Sequence, residues 1–306
     1  MYHCYYLVIH CISFLFFFSI KNSFFVSDYS LHCYFYDFNY LLSDRKYNDC
    51  IDNLIIKTFI EYAYWNGNID LSYLLIQTIP DIENYKETYN YQNNNTMERI
   101  VEKTDIQEMF SFLHEATHYL CKHEKSHPTD EFVYHIKKLT ASSMIKTYID
   151  IDSDMIEECY CDFKSLIYIL DTTYSENKFS KSEYFESLFL ALVYMYVLQF
   201  IHKIPKISGE AVDGYMDSEM KLLCLRLGCM YSNITNYLFN LKELSDFTIV
   251  SSTYDRCVNL FLELGNKMRV ISQNIRCVED NYKYMFQDIG KDEKIHSIKT
   301  YLNVLY

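Results

Sequence analysis

The chain has 306 residues, a formal net charge of −13 and 50% hydrophobic residues, with 31 Tyr and 21 Phe among them. That acidity excludes a nucleic-acid partner, whose phosphates would be repelled, and the chain has no basic stripe, Gly-rich phosphate loop or internal repeat. Only 3 Pro and 6 Gly interrupt it, which favours long helices, and the length allows a sizeable buried core.

Residues 1–40 are aromatic and β-branched and read as strands or a membrane-proximal segment. Within them, residues 4–20 carry no formal charge. No Lys or Arg precedes this run, so it does not read as a secretory signal. Two readings stay open. One is a buried strand or strand pair. The other is a membrane anchor, slightly shorter than the roughly 20 residues of a span and containing His10. Lys21, Arg45 and Lys46 follow the run, so an anchor here would keep the rest of the chain in the cytoplasm. Residues 47–79 predict a helix, with Ile51, Leu54, Ile55, Phe59 and Tyr62 at three-to-four spacing. Residues 81–96 are polar, include Asn93, Asn94 and Asn95, and mark a loop or boundary. The eleven cysteines form no Cys-x-x-Cys pair and read as reduced, buried thiols of a cytosolic protein.

A further helix is predicted from Thr104-Asp105-Ile106-Gln107, a capping-box pattern set before an apolar run. Ile106, Met109, Phe110, Leu113, Thr117 and Leu120 form its stripe, and Pro128 ends it by about residue 126. Residues 128–150 read as a connection with a short helix around 131–140, placed to act as a lid or cleft wall. A second helix begins near Asp154, with Glu157 as its capping partner, and runs to about residue 170. Its stripe is Ile156, Cys159, Phe163, Leu166 and Leu170. Glu158 and Asp162 flank that stripe, and Glu157 points toward solvent. Residues 181–204 contain an uncharged run from Leu188 to Ile201, which reads as a buried core helix. Residues 209–240 and 254–275 also read as helices packed on the core.

Chemistry concentrates at residues 114–118, His-Glu-Ala-Thr-His. Two histidines four apart lie one helical turn apart on one face and can grip one metal ion. The glutamate between them, Glu115, lies beside that ion and can take a proton from a metal-activated water. Catalytic zinc usually takes three protein ligands, so one more is needed. The best candidate is Glu158. A carboxylate pair at a packing edge is costly without partners: zinc would satisfy Glu158, and an imidazole N–H would satisfy Asp162. His123 and His127 are weaker candidates, since His123 projects off the His114/His118 face and His127 sits at the helix end. Cys159 and Cys161 lie on different helix faces and cannot share a metal.

H-E-x-x-H followed downstream by E-x-x-x-D resembles the gluzincin signature of zinc peptidases. The stretch Glu157-Glu158 with Cys161-Asp162 resembles the Glu-Glu-x-x-Cys-Asp stretch of the phage-exclusion Lit-type peptidases. The resemblance covers roughly residues 105–170. Glu158 follows His118 by 40 positions, longer than in thermolysin, so what is shared is the helix geometry. A metzincin would need Gly at 121 and His at 124, where this chain has Cys121 and Glu124. The resemblance implies His114, His118 and Glu158 as zinc ligands, Glu115 as general base and Asp162 as the residue orienting a ligand histidine. It also implies an intracellular protein substrate and a role in phage defence.

The expected fold is α+β and predominantly helical, with a zincin-like metal-site helix pair and a small β-containing N-terminal part. Three regions are expected: residues 1–95, aromatic-rich; residues 96–175, a metallopeptidase core; and residues 176–306, helical. The expected function is a cytoplasmic zinc-dependent protease in which Glu115 activates a zinc-bound water. The alternatives are a catalytically silent, metal-stabilised helical binding protein and a metalloprotease anchored in the membrane by residues 4–20. No oxyanion-stabilising residue stands out among the 31 tyrosines.

Overall fold

The computed structural model describes residues 28–43, 47–78, 94–123, 127–142, 152–175, 180–203, 211–282 and 284–305. All the regular secondary structure among them is α-helical. The helices are α1 Asp28–Ser43, α2 Tyr47–Trp65, α3 Ile69–Thr78, α4 Asn94–His123 and α5 Asp130–Ser142. They continue with α6 Ser153–Thr173, α7 Lys181–Lys203, α8 Ala211–Leu241, α9 Asp246–Tyr282 and α10 Lys291–Leu305.

The expected α+β class is therefore wrong: no strand occurs among the described residues, and part of the segment read as β-forming is α1. Residue preference pointed to strands, but spacing decides. Tyr34, Phe35, Phe38 and Leu41 recur at three to four positions and are all buried, forming one apolar helix face against the core. Burying each such side chain contributes about 1.5–3 kcal/mol, more than the few tenths by which β-formers disfavour a helix. The run 4–20 lies outside the described residues.

α7 is the axis of the core. Tyr184, Phe185, Leu188, Phe189, Val193 and Val197 have no exposed surface. The helix packs against α2, α4, α8 and α9. Lys181–Ile201 is the one segment among the described helices long and apolar enough to cross a membrane, and 89% of its most apolar window is buried inside the protein. Contact on several sides accounts for the near absence of a polar face.

The helix predicted over 47–79 is interrupted. The Gly67 N–H donates to Tyr64 O (3.0 Å) and the Asn68 N–H to Ala63 O (2.9 Å), the paired bonds of a Schellman end. Gly67 takes φ +79°, which a side chain would resist. The Asn68 side chain then accepts from Leu71 N (3.3 Å), opening α3.

α4 starts at Asn94, so Thr104 is internal and no cap. Its hydroxyl donates to Ile100 O (2.9 Å) and accepts from Asn39 Nδ2 of α1 (3.1 Å). The Asn39 amide also exchanges hydrogen bonds with the Gln107 amide, at 2.8 and 3.3 Å. All three side chains are buried, so this polar patch sets how α1 sits on α4. Asn39→Ala would leave the Gln107 amide unsatisfied and should lower the unfolding free energy by about 1–3 kcal/mol, read from urea denaturation. A loss under about 0.5 kcal/mol would show that the patch does not anchor α1.

Candidate metal centre

Three helices converge on the His-Glu-Ala-Thr-His segment. α4 packs most extensively on α6, and α8 closes against α6. α6 is started by Asp152, not Asp154: the Asp152 carboxylate accepts from Met155 N at 2.8 Å. From there Cys159, Asp162, Leu166, Ile169 and Leu170 form its buried side, which carries Glu157 and Glu158 up to α4.

His114 Nε2 and His118 Nε2 face each other at 3.1 Å. Glu158 lies against both, with Oε2 3.4 Å from His114 Nε2 and Oε1 3.2 Å from His118 Nε2. The donors of these three residues all fall within 4.8 Å of one another. Tetrahedral zinc with bonds of about 2.0–2.1 Å separates its ligands by about 3.3 Å, so the spacing fits that ion. Glu158 Oε2 is buried, with the Arg226 guanidinium Nη1 2.9 Å from it.

Carboxylates stand behind both rings. Asp162 Oδ1 is 2.9 Å from His114 Nδ1, close but out of line for a hydrogen bond, and Glu157 Oε1 is hydrogen-bonded with His118 Nδ1 at 2.8 Å. Such contacts leave Nε2 of each ring free for a metal. Glu157 thus differs from its expected outward orientation. It lies outside the apolar stripe of α6, with 43% of its side chain exposed, yet α4 passes close enough for contact. Glu115 is exposed on the same turn as His114. His123 is exposed beside the Tyr119 ring, and His127 is exposed before α5. α5 covers part of the region expected to form a lid or wall, packing Phe132, Ile136 and Leu139 toward Cys159, Leu225 and Cys229. Residues 143–151 of that connection lie outside the described residues.

Arg226 is the residue the motif reading missed. It is buried on α8, with Nε and Nη2 donating to the two Asp162 oxygens at 2.7 and 2.8 Å. Its Nη1 is 2.9 Å from Glu158 Oε2. Three of its nitrogens are therefore committed to holding carboxylates. The clue in the sequence is a charge on the apolar side of a helix, three residues after Leu223 and one before Leu227. Arg226→Met would leave two carboxylates poorly compensated and should cost about 3–5 kcal/mol, with Arg226→Lys losing less, as measured by chemical denaturation. An unchanged midpoint in Arg226→Met would show that the ion pair adds nothing.

Burial opposes charge throughout this cluster, but the neighbours outweigh it. Arg226 and the histidines hold Glu158 well below the usual carboxylate range, and Arg226 and His114 hold Asp162 down. Asp162 and Glu158 push His114 up to about 9, and Glu158 and Glu157 raise His118. The metal-free fold therefore binds a proton on His114 that the unfolded chain releases at about 6.5. That stabilisation is complete below about pH 6.5 and lost as pH rises through about 9. Zinc needs the neutral imidazole, so its apparent affinity should rise about tenfold from pH 7 to 8 and about fivefold from pH 8 to 9. Competition with a chromophoric chelator measures this, and a pH-independent affinity would remove His114 from the ligand set.

Comparison with protein-family models, curated proteins and solved structures finds no match to this chain.

Proposed function

We propose that the chain is a zinc-dependent peptidase that hydrolyses a peptide bond in a protein substrate. The observation that carries this reading is the convergence of His114, His118 and Glu158 at ligand spacing, with a carboxylate behind each imidazole. These three residues would hold the ion. When bound, zinc supplies a Lewis acid for the substrate carbonyl and brings the pKa of a water to about 7.

The chain's own residues supply the rest. Asp162 and Glu157 keep protons on the Nδ1 atoms and present each Nε2 as a donor. Arg226 holds the Asp162 and Glu158 carboxylates charged and in place. Glu115, on the exposed side of the same turn, accepts a proton from the attacking water and delivers it to the leaving amine. The likeness of the Glu157–Asp162 stretch to Lit-type peptidases supports a single intracellular protein as substrate, cut at a defined place in phage defence.

Elemental mass spectrometry of the purified chain tests the reading. One tightly held zinc per chain is expected, absent from His118→Ala and Glu158→Ala. Glu115→Gln should keep the zinc and lose peptide hydrolysis by about 10²–10⁴-fold. No zinc in the wild type after reconstitution overturns the proposal. Undiminished hydrolysis in Glu115→Gln removes Glu115 from the mechanism. A metal-stabilised binding protein is the outcome if Glu115→Gln changes nothing and no peptide is cut.

A further inference from the structure

The His118 ring faces two ways. Nε2 looks toward His114 and Glu158, and Nδ1 looks toward Glu157. On the Glu157 side lies a second group of donors, because ligand atoms of His118, Glu157 and Cys161 also fall within 4.8 Å of one another. Cys121 adds another thiol. It sits three residues past His118 on α4, so it projects toward α6 about one turn further on. Cys121 and Cys161 are buried in one cluster with Tyr160, beside Phe132 and Phe163. Both are free cysteines.

We propose that Glu157 and Cys161 of this group, with the Cys121 thiol clustered beside Cys161, form a second metal site, for a thiophilic divalent cation of the zinc class, adjoining the first through His118. Thiolate ligands select such ions over magnesium or calcium, and a carboxylate can complete the set. Charge favours a cation here. Glu157, Glu158 and Asp162 bring three negative charges, against one positive charge each from Arg226 and, in the metal-free fold, His114. On binding, each thiol releases its proton to solvent, and the two thiolates balance the two charges of the ion. Glu157 marks the way in, since 43% of its side chain is exposed whereas Cys121 and Cys161 are buried. An ion held there draws Glu157 from His118 Nδ1. On the peptidase reading, and only there, excess zinc should therefore lower activity. The site itself does not depend on that reading.

The test is a cadmium titration of the full chain kept reduced with a phosphine. Two Cd²⁺ ions should bind, one of them with thiolate-to-cadmium charge-transfer absorption in the ultraviolet. The double variant Cys121→Ala/Cys161→Ala should keep one ion and lose the band. Glu158→Gln should keep the band and lose the other ion. Glu157→Gln removes the carboxylate charge at a half-exposed position and should weaken the band-forming step by at least about tenfold. No band in the wild type overturns the proposal, as does a band of full strength in the double cysteine variant. If Glu158→Gln loses no ion while the band follows Cys121 and Cys161, the first site falls and the second stands.

Discussion

Asp162 is a carboxylate with almost no access to water, and its charge constrains three helices at once. A buried charge without partners costs several kcal/mol, so Arg226 from α8 and His114 from α4 must both reach it. Apolar packing between α4, α6 and α8 tolerates small sliding; the fork of Arg226 on the two Asp162 oxygens does not. The register that satisfies Asp162 also brings Glu158 between His114 and His118. Position at the candidate metal centre is thus a by-product of pairing a buried charge.

Beneath that junction lies an extensive apolar core centred on α7 and rich in aromatic rings. At several positions tyrosine buries its ring while the hydroxyl finds a partner. Tyr174 donates to Asp246 at 2.7 Å, and the Tyr184 and Thr173 hydroxyls pair at 2.8 Å. α7 is thereby fixed from several directions, and it backs α4 along with α1. Lys103 of α4 reaches Glu186 of α7 at 2.7 Å, another tie at the same interface. A long helix held this way presents two histidines one turn apart with little freedom, which metal geometry requires.

His118 joins two donor sets of different chemistry. Imidazole and carboxylate lie on its Nε2 side, and carboxylate and thiol on its Nδ1 side. Both come from the same few turns of α4 and α6. His114, His118 and Cys121 lie on successive turns of one helix, and Glu157, Glu158, Cys161 and Asp162 on successive turns of the other. Two such helices in contact place donors beside donors along this stretch of their shared edge.

The sequence by itself determined what depends on helical period. The 114/118 and 158/162 spacings put each pair on one side of a helix, and the apolar stripes placed most helices near where they are seen. Partner identity was beyond it. Arg226 is 64 positions from Asp162, and nothing local says that α8 lies over α6. Glu157 read as solvent-facing because a helical wheel knows the core but not the neighbouring helix. Residues 1–40 read as strands or a membrane-proximal segment because propensity averages over contexts, whereas packing against α2 and α4 rewards a helical face in α1. Thr104 read as a cap because its partner is Asn39, which only the approach of α1 supplies. In each case local geometry follows from bonded neighbours 3.6 residues to the turn, while the satisfaction of a buried polar group follows from which distant helix arrives beside it.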